Sequence, residues 1–126
     1  MIVGVGIDLI EVARVQSVAE RFGDRFLHRI LRPDELAYCR DFARPSPHVA
    51  ARFAAKEAVS KAFGTGIGAA LGWQDIEVAR RDSGQPFLVL HGAGLELLAS
   101  RGGGTIHLSL SHTEHYATAV AVWDQP

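Results

Sequence analysis

The sequence predicts an α+β fold in which an antiparallel β-sheet packs against a long central helix. Three observations carry this expectation. The elements run in the order βαααββαββ, the strands come as hairpins without regular βαβ alternation, and the helix over residues 46–63 is alanine-rich around most of its circumference, as a helix enclosed by other chain would be.

Residues 2–9, IVGVGIDL, alternate as a strand: Val3, Val5, Ile7 and Leu9 share one face, and Ile2, Gly4, Gly6 and Asp8 share the other. Glycine weakens a strand interior unless something approaches the backbone, so the bare face that ends in Asp8 predicts a close contact there. Periodicity turns helical from about Leu9 to Phe22, with Gly23 as a stop, and a second helix is expected over 33–40. Ser46 fits an N-cap and Pro47 a first helical position for the helix that runs to Phe63 before Gly64. GTGIGAALG, residues 64–72, follows a helix and lacks both the Lys-Ser/Thr ending of a P-loop and the context of a dinucleotide fingerprint. WQDIEVAR and FLVL make a hairpin across DSGQP, residues 92–101 a short helix, and TIHLSLS with HYATAVAVW a second hairpin turning near residues 112–114.

The 126 residues suffice for one hydrophobic core, so the chain is expected to be a single domain, 1–126. With 48% apolar and 21% charged residues it matches ordinary globular proteins. The lone Cys39 allows no internal disulfide and points to a reducing, cytoplasmic setting. The apolar N-terminus has no basic start and is shorter than the ~20 residues that span a bilayer, so no membrane association is expected. A net charge of -1 excludes the global basic field of a nucleic-acid binder.

The stretch FAAKEAVSKAFG, residues 53–64, sets Lys56, Glu57 and Lys61 among alanines. Around the helix, Glu57 and Lys61 fall beside Ala50 and Ala54, whereas Arg52 and Lys56 fall on another side. Glu57 and Lys61 suit a simple (i, i+4) pair contributing about 0.2–0.5 kcal/mol. Asp8 suits an N-cap, with Glu11 completing a capping box. If Asp8 and Glu57 instead converge, they form a hard oxygen site suited to Mg²⁺, whose remaining shell comes from water and a phosphate-bearing substrate. Lys61 would point at the same phosphates, and Arg52 and Lys56 would add positive charge.

With these residues in view, the chain resembles the holo-[acyl-carrier-protein] synthases, the small bacterial branch of the 4'-phosphopantetheinyl transferases. The likeness rests on GIDLIEVARV and RFAAKEAVSKAFGTGIG, and extends to DSGQP and HLSLSHTEHYATAVAV, in order along essentially the whole chain. It implies transfer of 4'-phosphopantetheine from coenzyme A to a serine of acyl carrier protein, with release of adenosine 3',5'-bisphosphate. The acids matching Asp8 and Glu57 would bind Mg²⁺ against the pyrophosphate, and Lys61 would contact phosphate. Arg52 and His107 would lie near the adenosine 3'-phosphate, and the loop around Gly64, Thr65, Gly66 and Gly68 along the coenzyme. Small members are homotrimers with sites at subunit boundaries. Some carry an acid just after the S-x-S-H segment, where this chain has Thr113. His112 sits at the turn and is only weakly implicated. The serine's proton would pass to Glu57 or to a metal-bound water.

Arg14, Arg21, Arg25, Arg29 and Arg32 would share one side if helical geometry continued past Gly23, with Val18, Phe22 and Phe26 as an apolar centre. A solvated basic face is the ordinary outcome of such a run. The resemblance makes it a docking face for an acidic carrier protein, Arg14 foremost. The same residues would also serve a Mg²⁺-dependent coenzyme-binding module without chemistry, or a structural trimer whose charges pair between subunits. Replacing Arg14 and Arg21 with glutamate is expected to weaken carrier binding and spare coenzyme binding, as calorimetry with each partner in turn would register.

Overall fold

Strand β1 (Ile2–Glu11) leads into α1 (Val12–Phe22), α2 (Asp24–Ile30), α3 (Pro33–Arg40) and α4 (Ser46–Phe63). A 3-10 turn, Trp73–Asp75, precedes the hairpin β2 (Ile76–Arg80) and β3 (Pro86–Leu90); α5 (Gly92–Ser100), β4 (Thr105–His112) and β5 (Tyr116–Asp124) complete the chain. This computed structural model describes residues 1–126. The strands form two antiparallel sheets, one of three strands in the order β1-β5-β4 and one of two, β2-β3. The α+β class and the central helix are as expected; the division into two sheets and the extra helix α2 were not legible in the periodicity.

The glycine face of β1 explains the architecture. A methyl group at Gly6 would stand 1.8 Å from the Ala58 carbonyl oxygen of α4, and one at Gly4 2.2 Å from that of Ala62. Strand and helix backbones therefore touch through glycine, and the alanines Ala54, Ala58 and Ala62 meet Ala119, Ala121 and Trp123 of the same sheet in one core cluster. A second cluster, including Val12, Val15, Ile30, Leu36, Val49 and Ala51, lies where α1–α3 pack on the first half of α4. Ordered this closely, α4 buries 13 of its 18 residues.

Two local expectations give way. Helix α1 begins at Val12, because β1 continues pairing with β5 through Glu11, and no side chain caps it. Asp8 is thus a strand residue opposite Ala119, and the capping box does not form. Helix α4 opens at Ser46 itself, after Pro45, with no side-chain cap.

Lys56 is also reassigned. It is completely buried, its Nζ 2.7 Å from Glu35 Oε1 and donating to the carbonyls of Ile30 at 2.6 Å and Trp73 at 3.1 Å. Glu35 accepts in turn from the backbone amides of Arg32 and Val78. The ammonium staples α2, α3 and the 3-10 turn to α4 and cannot serve a phosphate. Burial draws its pKa below the ordinary lysine value, with the Glu35 charge opposing.

Gly6→Ala is expected to cost about 3 kcal/mol or more, because two backbones must separate. Lys56→Met, which leaves Glu35 buried and uncompensated, should cost about 3–5 kcal/mol. Urea unfolding of each variant against the parent checks both.

Candidate active site

The approach of β1 to α4 carries Asp8 to the Glu57 turn of the helix. Lys61 Nζ lies 3.1 Å from Asp8 Oδ1 and donates to the Ile7 carbonyl at 2.9 Å. The lysine therefore crosses to the strand, and the simple helical pair with Glu57 is not the contact made. Thr118 Oγ on β5 donates to the Asp8 carbonyl at 2.8 Å and fixes the strand locally.

Glu57 is half-buried, and its pKa is raised, first by burial and then by the Asp8 charge, while Lys61 acts in the opposite sense. Of the two charges, the repulsion from Asp8 outweighs the attraction of Lys61. Hard oxygen donors with surplus negative charge fit Mg²⁺. No group of three or more His, Cys, Asp or Glu side chains is arranged to hold a metal, so a metal here would complete its shell with water and substrate oxygens.

A second assembly lies elsewhere on the molecule. A cleft of about 370 Å³ is lined by His48, Arg52, Arg80, Pro86, Ser111 and His112, among others. Arg52 is only 2% exposed; its guanidinium donates to the His48 carbonyl at 3.2 Å, and its Nε is buried without a hydrogen-bond partner. His48 stacks on Phe42 with ring centroids 3.5 Å apart and meets His112 edge-on at 5.0 Å. Burial lowers the His48 pKa, with His112, Arg52 and Arg80 adding to the effect. The cleft is thus cationic, and no carboxylate lines it.

The structure joins Asp8, Glu57 and Lys61 into one cluster and sets Arg52 apart from them. At 100° per residue, Glu57 and Lys61 lie about 140° and 180° around α4 from Arg52. His107 joins neither group. It pairs with Val122 in the same row as Val5, on the outer sheet face away from α4. Five residues on, an odd number that reverses the face, His112 belongs to the inner side and enters the cleft. Sequence reasoning gave His48 and Arg80 no role; only the stack on Phe42 and the folding-back of the β2–β3 hairpin bring them there.

In the glycine loop, Gly64 and Gly66 have φ of 78° and 67°, a conformation that by itself selects glycine. Gly64 closes α4, and Thr65 Oγ donates to the Gly66 carbonyl at 2.9 Å. A side chain at Gly68 would meet open space.

Gly23, with φ 60° and ψ -140°, ends α1 and starts α2 afresh. A basic, apolar-floored groove forms despite the break: Val18, Phe22, Arg25, Phe26 and Arg29 line about 330 Å³. The Arg21 guanidinium lies 5.2 Å from the Phe22 ring centroid, and Arg14 is exposed on the same helix. Arg32 leaves this face, donating to the Gln74 carbonyl at 2.7 Å.

The family model described as the 4'-phosphopantetheinyl transferase superfamily matches residues 4–121. The chain is 48% identical over 122 residues to the holo-[acyl-carrier-protein] synthase of Koribacter versatilis, covering 97% of this chain and 98% of that protein. The crystal structure of the Neisseria meningitidis holo-[acyl-carrier-protein] synthase superimposes with a TM-score of 0.92 at 34% identity, over 99% of this chain and 100% of that one. The Helicobacter pylori synthase, solved in complex with coenzyme A, gives 0.85 at 34% identity, over 95% and 99%.

Because Asp8 raises the Glu57 pKa, Asp8→Asn should move it back toward the ordinary carboxylate range, whereas Lys61→Met should raise it further. Carbon-detected NMR titration of the Glu57 carboxyl in metal-free protein reads both shifts.

Proposed function

This chain belongs to the 4'-phosphopantetheinyl transferase superfamily, and we propose that it works there as a holo-[acyl-carrier-protein] synthase, moving 4'-phosphopantetheine from coenzyme A to apo acyl carrier protein. The observation that carries this reading is the convergence of Asp8 and Glu57 across the strand–helix contact, with Lys61 reaching the same point. Asp8 and Glu57 would hold Mg²⁺, and Lys61 would hold the coenzyme's diphosphate. Mg²⁺, when bound, supplies positive charge to the oxygens that become more negative as the phosphoryl group transfers.

The chemistry balances with the groups present. The carrier serine Oγ forms a bond to the phosphorus that bears pantetheine, the bridging P–O bond to the adenosine half breaks, and adenosine 3',5'-bisphosphate leaves with the electron pair. Glu57, whose surroundings raise its proton affinity, or a water that it holds, takes the serine proton. Positioning supplies most of the remaining rate, as phosphoryl transfer asks little covalent work of the protein.

The coenzyme's 3'-phosphate suits the cationic cleft of Arg52, Arg80 and His112. That cleft lies on the far side of α4 from Asp8, so one coenzyme using both assemblies takes them from two copies of the chain. The outer face of β1 supports such an assembly: Ile7 and Leu9 are 63% and 66% exposed, with Val3 and Val5 alongside. A homotrimer with sites at its subunit boundaries accounts for that face, and for His107, which lies upon it. The groove of Phe22, Arg25 and Arg29, with Arg14 and Arg21 beside it, receives the acidic carrier. The loop from Gly64 to Gly68 lies along the coenzyme. No helix is long and apolar enough to cross a membrane, and burial raises the Cys39 thiol to about 11, which suits an inert cysteine in a cytoplasmic setting.

Incubation with coenzyme A, Mg²⁺ and apo carrier should yield the phosphopantetheine adduct by mass spectrometry, and Glu57→Gln or Asp8→Asn should slow its formation about 10²–10³-fold. Coenzyme binding with no adduct would instead support a binding module. Ile7→Asp should dissociate the oligomer, as light scattering would show, and abolish transfer. Mixing refolded Glu57→Gln and Arg52→Ala chains should restore part of the activity that neither has alone.

A further inference from the structure

We propose that Tyr38 is a positioning residue for the donor's 3'-phosphomonoester: its ring holds the guanidiniums of Arg52 and Arg80 at the cationic cleft and so sets the preference for donors that carry this group. The proposal rests on the transferase reading above and adds a residue from α3 that touches no substrate.

The ring of Tyr38 is shared by two cations, with the Arg52 guanidinium carbon 4.3 Å and that of Arg80 4.9 Å from its centroid. Arg52 comes from α4 and Arg80 from the end of β2, so α3 supplies the common support. Two guanidiniums drawn to one site repel each other, and an aromatic face is a neutral group that attracts both. Two of the three acids nearby are committed elsewhere, and the third, Asp34, forms no ion pair with either arginine. Glu35 is bound to Lys56, and Glu77 pairs with His91 at 2.7 Å and Arg32 at 3.7 Å.

Arg52 and Arg80 also border a second hollow that contains Asp34, Glu35 and Glu77, whereas the cleft on their other side has no carboxylate. An anion is therefore favoured only in the cleft, on the side without carboxylates. The buried, unpartnered Arg52 Nε marks polar capacity that the folded chain leaves unused. Tyr38 also meets Phe42 and His48 edge-on, at 5.1 and 6.2 Å, so the same ring buttresses the histidine stack that walls the cleft. Arg80 is exposed and has a flexible side chain, and without the ring it would be free to turn to solvent.

The test measures transfer to apo acyl carrier protein by the parent, Tyr38→Met and Tyr38→Phe, each with coenzyme A and with coenzyme A lacking its 3'-phosphate. Tyr38→Met should raise KM for coenzyme A roughly 5- to 20-fold, leaving kcat and KM for the dephosphorylated donor within about twofold. Tyr38→Phe, which keeps the ring, should match the parent with both donors. Equal losses on the two donors, an unchanged KM for coenzyme A in Tyr38→Met, or a phenylalanine variant as impaired as the methionine one would each overturn the assignment. Should Tyr38→Met lose its thermal unfolding transition, Arg80→Gln carries the test: a reduced preference for the phosphorylated donor supports the proposal, and an unchanged preference overturns it. If the parent binds coenzyme A but transfers nothing, the transferase reading fails. Calorimetry of the same variants with adenosine 3',5'-bisphosphate and adenosine 5'-phosphate then judges Tyr38 separately.

Discussion

The contact of the Gly4 and Gly6 backbone with the Ala58 and Ala62 carbonyls of α4 is the constraint on which the rest of the molecule depends. It has three consequences at once. Strand and helix lie close enough for a short aspartate side chain to share a site with a helical glutamate. The inner face of the central strand β5 carries Ala117, Ala119, Ala121 and Trp123, and the alanines fit a narrow gap between backbones. The larger side chains of β1 are turned outward.

That last consequence leaves an apolar face on the surface of the single chain. Strand β1 has one apolar face, and the close contact uses the other one. Val3, Val5, Ile7 and Leu9 are therefore left on the surface of a single chain, in a continuous row that monomeric proteins seldom leave uncovered. Cross-strand neighbours Val120 and Val122 extend the patch onto β5. In the proposed assembly, an association that buries this face also completes the site.

Helix α4 separates charges by angle, giving each a different physical situation. Lys56, between α2, α3 and the 3-10 turn, has a buried carboxylate and two carbonyls, and its work is structural. Glu57, one residue on and about 100° around, stands at the edge of the core, where partial burial and Asp8 raise its proton affinity. Arg52 is as deeply buried as Lys56 but rests on an aromatic ring in place of an acid. A guanidinium tolerates that exchange better than an ammonium would, because its charge is delocalised and weakly hydrated.

By itself, the sequence determined the features governed by local rules. The hairpins, the glycine stops and the long helix follow from period and turn chemistry, and the empty face of β1 announced a close neighbour because glycine has no other use in such a strand. Asp8, Glu57 and Lys61 could be grouped through the family resemblance of GIDLIEVARV and RFAAKEAVSKAFGTGIG, because local rules alone left a helix cap and a simple helical pair open. Tertiary structure alone decided which charge served which end. Lys56 and Arg52 look alike along the helix, and only the placement of Glu35 and Tyr38 on α3 distinguishes a buried ion pair from a cation held open. His107 and His112 differ by one strand face, which matters only once it is known that α4 covers the inner side. These outcomes depend on contacts between residues tens of positions apart, and no window of the sequence contains both partners.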